Sequence, residues 1–238
     1  MNEIEKCSEV RKKQLIMDLW IIAIISFVIL GAYVVAANRL NGFVYDSSIN
    51  IVLRVAIIGI CAQFGISGLG ITIVCLIRKE KFSEFGLNTK NLLAALLLSA
   101  VCCVPDYIYC LYRGNVHGWC PFWDVNTTPE VLSGPFPYNL LAFLITAICW
   151  GFFEGFNYVV IRDKISELCP SKYRFWDWGA FICAIMCILI HGAVGVTADE
   201  LLEMIVTIII IYGMLIVRKV TGNAWGCVLI FCVYWNAL

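Results

Sequence analysis

The chain has 238 residues, of which 61% are hydrophobic and 14% charged, and its mean hydropathy is +0.87. A soluble domain carries about 25% charged residues, so a soluble fold is excluded, and a formal net charge of zero gives no electrostatic reason to expect nucleic acid as a partner. Apolar runs near or above the ~20 residues that cross a bilayer recur from end to end, which predicts an all-α, polytopic transmembrane helix bundle whose first partner is the lipid bilayer.

In chain order, residues 1–16 are charged and are expected to lie along the inner surface, ahead of a single membrane domain over 17–238. The expected spans are roughly 17–37, 51–77, 92–112, 137–166, 176–196, 200–217 and 222–238, about seven in all. The first lacks a small-residue cleavage site and is long enough to be retained as a span. The connections alternate in charge. Lys6, Arg11, Lys12 and Lys13 precede the first span; Arg78, Lys79, Lys81 and Lys90 follow the second. Arg162, Lys164, Lys172 and Arg174 follow the fourth, and Arg218 and Lys219 the sixth. The opposite side carries Arg39, Arg54 and Arg113, so 14 of the 17 basic residues share one side. The positive-inside rule makes that side, and the N-terminus, cytoplasmic.

Between the second and third spans, Asn88 or Thr89 is a plausible cap for the next helix. Residues 113–136 form the longest connection, with Pro121, Pro129, Pro135, Trp119 and Trp123. They read as an irregular outer loop with interfacial aromatics. Asn126-Thr127-Thr128 formally matches a glycosylation acceptor there. Of 13 cysteines, most lie inside apolar segments, where cysteine behaves as a small hydrophobe.

Three polar residues stand out at membrane depth: Glu154, His191 and Asn236. An ionisable group there is expensive and marks a candidate site. At 1.5 Å rise per residue, Glu154 lies roughly 18 Å from the cytoplasmic end of its helix, and His191 and Asn236 about 20 Å along theirs. Cys232 lies about 15 Å along the last helix. Gly151, Glu154, Gly155 and Tyr158 share one face, and the Gly151/Gly155 pair allows a second helix to approach closely. Cys187 and His191, and likewise Cys232 and Asn236, are spaced four apart and share faces. Each has a plainer reading. Glu154 can be a protonated packing group, His191 a donor to a backbone carbonyl, and Asn236 a cap near a helix end. Arg54 and Gln63 fit packing, and Asp106 and Glu203 fit solvated carboxylates near the outer boundary.

Trp150-Gly-Phe-Phe-Glu154-Gly-Phe-Asn-Tyr-Val-Val, then His191, then Phe231-Cys-Val-Tyr-Trp-Asn236-Ala resemble, in order, the three motifs of the intramembrane metalloprotease family. That family joins type II CAAX prenyl endopeptidases with bacteriocin-processing and immunity-associated proteins. Phe82-Ser-Glu-Phe-Gly-Leu-Asn-Thr-Lys resembles the phrase that precedes its core helices, so the likeness covers about 80–238. The first motif, Glu-Glu-x-x-x-Arg, is met by Glu154 but has Gly155 and Val159 at its second Glu and its Arg. The second, Phe-x-x-x-His, is met by His191 with Cys187 for Phe. The third, His-x-x-x-Asn/Asp, is met by Asn236 with Cys232 for His.

The resemblance implies a metal-dependent intramembrane endopeptidase of a prokaryotic cytoplasmic membrane, acting on a peptide or lipidated protein substrate. Glu154 would be the general base, with His191 and Asn236 catalytic. His191, Cys232 and Asn236 would be the candidate ligands of a divalent metal, zinc. Only two histidines are present, the other being His117, so Cys232 reads either as a substitute thiolate ligand or as one more membrane cysteine at a degenerate site. The second case implies a non-catalytic relative that binds a membrane partner or confers peptide-toxin immunity.

Overall fold

In a computed structural model the chain is described for residues 3–114, 116, 118–191 and 198–237, with side chains for all of these except 3–8, 190, 191 and 198–200. The described residues are helical without strand. Helix α1 is Glu3–Val44, and α2 runs unbroken over Ile51–Arg78. After a 3-10 turn at Phe82–Phe85 come α3 (Leu92–Arg113) and the short α4 (Thr128–Ser133). Helix α5 is Tyr138–Leu168, followed by α6 (Trp178–His191), α7 (Ala198–Thr221) and α8 (Trp225–Val233).

Among the described residues five helices are long and apolar enough to cross a membrane: Glu9–Val44 within α1, α2, α3, α5 and Leu201–Thr221 within α7. Helix α6 contributes a shorter apolar stretch, Trp178–Leu189. The expected last span, 222–238, is instead the nine-residue α8. At 1.5 Å per residue it is about 13 Å long, less than half of the ~30 Å hydrocarbon core. Its end is fixed by the outer connection. Trp119 Nε1 donates to the Val233 carbonyl (2.7 Å), Cys120 N to Ala237 O (3.0 Å) and Asp124 N to Asn236 O (3.3 Å). The first of these takes the carbonyl that a continuing helix would offer to Ala237 N, and residues 234–236 form a turn. Part of the 113–136 connection packs into the protein, with Phe122, Val125, Thr127, Thr128 and Val131 buried, while Trp119, Trp123, Asp124 and Asn126 stay exposed.

Two stretches are wound wider than an α-helix. Gly59–Leu69 within α2 and Ala147–Phe152 within α5 are π-helical, a geometry that leaves the regular i→i+4 ladder. Side-chain hydroxyls bond carbonyls along the first: Ser67 Oγ to Gln63 O (2.8 Å), Thr72 Oγ1 to Gly68 O (2.8 Å) and, from α1, Ser26 Oγ to Ile66 O (2.6 Å).

The basic end is held by buried ion pairs. Asp18, fully buried, accepts from Arg78 Nε (2.8 Å) and Lys164 Nζ (3.0 Å), and Lys164 also reaches Glu80 (2.8 Å). These contacts join α1, α2 and α5. Arg218 of α7 donates to Asp163 (2.8 Å). Gly86, at φ +89, lets the chain pass within 2.9 Å of the Gly222 carbonyl, a left-handed conformation that glycine adopts without a Cβ penalty. Asn223 ties the start of α8 to this end, donating to the carbonyls of Asn88 and Lys90 (2.7 and 2.8 Å).

Asp177 caps α6 by accepting from Ala180 N (2.9 Å). It also accepts from Arg162 Nη2 (2.5 Å) and Ser166 Oγ (2.7 Å). Burial works to raise its carboxyl, but the Arg162, Ser166 and Ala180 donors together outweigh burial and hold it below the usual carboxylate range. The linkage sign follows. A depressed carboxyl contributes stability that is present above its unfolded value, about 3.9, and lost as pH falls through the folded one. Asp177→Asn is expected to melt earlier at pH 7 in detergent and to lose less than the parent on acidification below about pH 4. An unchanged melting profile over both pH values would remove Asp177 from that account.

Candidate functional site

Glu154 is buried on α5, two residues beyond its π segment. Its Oε2 accepts from Gln63 Nε2 of α2 at 2.7 Å. Gln63 lies inside the π segment of α2, so the two widened stretches meet around one hydrogen bond. Near that bond, a Cβ at Gly59 would stand 3.1 Å from Trp150 and 3.2 Å from Cys149. Next to the pair in sequence, Phe64 meets Phe153 edge to face at 4.6 Å. Phe82 and Phe85 of the 3-10 turn pack on Phe156 at 4.9 and 6.0 Å. The phrase before the core helices is thereby brought against the helix that carries Glu154.

Helix α8 lies along the Gly151/Gly155 seam. A Cβ at Gly155 would be 2.9 Å from both the Cys227 carbonyl and the Val228 Cα. One at Gly151 would be 2.6 Å from Cys232 Sγ and 3.2 Å from the Phe122 ring. Tyr158, one turn past Glu154, stacks on Phe231 of α8 at 5.5 Å. Cys183 Sγ of α6 donates to the Tyr158 carbonyl at 3.6 Å. Thus α2, α6 and α8 all converge on the face of α5 that bears Glu154.

The expected site residues fall into three groups. Glu154 and Cys232 are on neighbouring helices, with Cys232 beside Gly151, less than one turn from Glu154 along α5. Asn236 does not share a helical face with Cys232, because α8 ends at Val233 and Asn236 lies in the following turn. His191 is the last residue of α6, on the same helix as Cys187; its side chain, like the whole of His117, lies outside the described residues. Among the described residues no group of three His, Cys, Asp or Glu side chains is placed to hold a metal. The described donors alone therefore do not assemble a zinc site.

Gln63, which from the sequence fits packing, donates a hydrogen bond to Glu154. The signal was an amide inside an apolar run, without indication of what it would meet. Asp106, expected as a solvated carboxylate, instead accepts from the Tyr234 hydroxyl (2.7 Å) and ties α3 to the turn after α8.

The seam also requires a residue without a side chain at position 155. A side chain at Gly155 would enter the backbone of α8, so Gly155→Glu is expected to force α5 and α8 apart. Its melting temperature in detergent should fall by several degrees or more, and a Gly155→Glu protein melting like the parent would show that the seam yields. Comparison with protein-family models, with curated proteins and with solved structures finds no match to this chain.

Proposed function

We propose that the chain is an intramembrane endopeptidase resembling the CAAX-protease family, acting on a membrane-associated peptide with a lipidated or leader-peptide character. The observation that carries the reading is Glu154: a carboxylate within a long apolar helix, oriented by an amide from a second helix and faced by two more. An ionisable group at membrane depth that points into the bundle is a functional-site hypothesis by default. In this reading the basic end faces the cytoplasm by charge bias. About seven segments enter the bilayer, with α6 and α8 as short ones.

Glu154 takes a proton from the attacking water as its oxygen adds to the scissile carbonyl carbon, and returns that proton to the departing amide nitrogen. Gln63 holds the carboxylate during this exchange. Asn236 is the expected donor to the developing oxyanion. Zinc, with His191, Cys232 and Asn236 as its expected ligands, would supply carbonyl polarisation.

The test is cleavage of lipidated and leader-peptide substrates by purified protein, together with its metal content. A parent protein inert toward both substrate classes overturns the reading.

The second reading, a catalytically degenerate relative that binds a membrane partner or confers peptide-toxin immunity, is favoured by one observation. The position of the motif's second carboxylate is closed by the α8 backbone at Gly155, and Val159 at the motif's Arg position is fully buried. A metal-free protein whose Glu154→Gln variant keeps its biological activity would select this reading.

A further inference from the structure

We infer that Gln63 is a positioning residue for Glu154, and that the two π-helical stretches are the frame that holds the pair in register. This rests on the hydrolytic reading above and adds to it a residue from α2, a helix outside the region 80–238 that carries the resemblance.

The terminal torsion of a glutamate is broad and roughly two-fold, so burial alone does not fix where its oxygens point. A donor from another element does. Gln63 Nε2 holds Oε2 at 2.7 Å, which fixes the direction of one of the two carboxyl oxygens. The donor is also uncharged. A lysine or arginine here would fix the carboxylate by forming an ion pair with it and would compete for the electron pair that accepts the proton from water. An amide orients the group without placing a charge beside it.

The frame supports this. The Gln63 carbonyl accepts from Ser67 Oγ, and Ile66 O accepts from Ser26 of α1, so the widened turn of α2 is fastened on both sides. Near the Gln63–Glu154 bond, Gly59 closes on Trp150 and Cys149, and Phe64 closes on Phe153. A π segment shifts the residues after it around the helix axis relative to a continuous α-helix, and such segments recur at functional sites. Here one lies in each of the two helices that supply the pair, and they contact each other. A packing role alone would be met equally by any well-fitting pair, charged or apolar.

Two variants separate the roles. Gln63→Leu keeps the volume and removes the donor. Gln63→Lys keeps a donor and pairs with the carboxylate, so it is expected to stay folded. Both are measured for melting in detergent and for steady-state cleavage of a leader-peptide substrate. Gln63→Leu is expected to lower kcat roughly 10- to 100-fold, the scale of a misplaced catalytic group, with KM within about twofold of the parent. Gln63→Lys is expected to melt at or above the parental temperature and to lose at least as much kcat.

Either folded variant turning over at the parental kcat overturns the positioning role and leaves the hydrolytic reading standing. An inert parent, or a Glu154→Gln variant that still cleaves, overturns both.

Discussion

Glu154→Gln in the purified protein is expected to lower kcat by about 10²- to 10⁴-fold, the contribution of a general base, while the protein melts close to the parental temperature. The replacement is nearly isosteric. Its side-chain carbonyl can still accept from Gln63, so the hydrogen bond that joins α2 to α5 survives while the basic lone pair is lost. Loss of cleavage with retained folding therefore reports chemistry rather than architecture. Glu154→Ala removes the acceptor as well, leaves the Gln63 amide without it, and is expected to lose both turnover and stability. A folded Glu154→Gln protein that cleaves at the parental rate removes the proposed base.

The second large effect lies at the basic end. Lys164 is 2% exposed and bridges Asp18 and Glu80. Removing one partner of a buried ion pair typically costs 3–5 kcal/mol, because the other charge is left in a poor solvent. Lys164→Met leaves Asp18 with Arg78 and Glu80 with Arg11, so it is expected to destabilise the chain by about 3 kcal/mol, the low end of that range. That is on the order of 10 °C in melting temperature for a chain of this size. Lys12, paired with Glu9 on the exposed face of α1, supplies the control: Lys12→Met is expected to cost under about 1 kcal/mol. High salt should shrink the Lys12 effect and leave the Lys164 effect, since buried pairs are screened much less. Equal effects at the two positions would show that the Asp18–Lys164–Glu80 cluster is wet.

The helical class, and most of the long apolar segments, are legible in the sequence because hydropathy depends on local composition. Features set by partners far along the chain are not. Lys164, Arg78 and Arg218 count as positive charge on one side of the membrane, yet each is neutralised by a carboxylate that composition does not assign to it. Asp18 is 146 residues from Lys164. Residues 222–238 read as a span because nothing inside them breaks a helix; what ends α8 at Val233 is the indole of Trp119 and the backbone of the outer connection. The π stretches escape a periodicity reading, since widening over a few turns displaces the pattern by about one residue. At the candidate site, Glu154 and the Gly151/Gly155 seam are visible as an acid in an apolar run and a small-residue spacing. Gln63 is visible only as a residue type. Its pairing across 91 positions depends on how α2 packs on α5.

Helix α1 has 42 residues, about 63 Å at 1.5 Å per residue, against an acyl region about 30 Å deep. It is anchored to its neighbours through Asp18, Ile22 and Ser26, with Ile22 pressed against Gly70 of α2. Its other half, with Val28, Val34 and Val35 well exposed, contributes less to the bundle's interior. When the surrounding lipid changes thickness, this more exposed half, tied to α2 at its end by Arg54 Nη1 on the Val44 carbonyl (2.6 Å), meets the change first. Hydrophobic mismatch would then be absorbed at the periphery, sparing the contacts around the buried carboxylate.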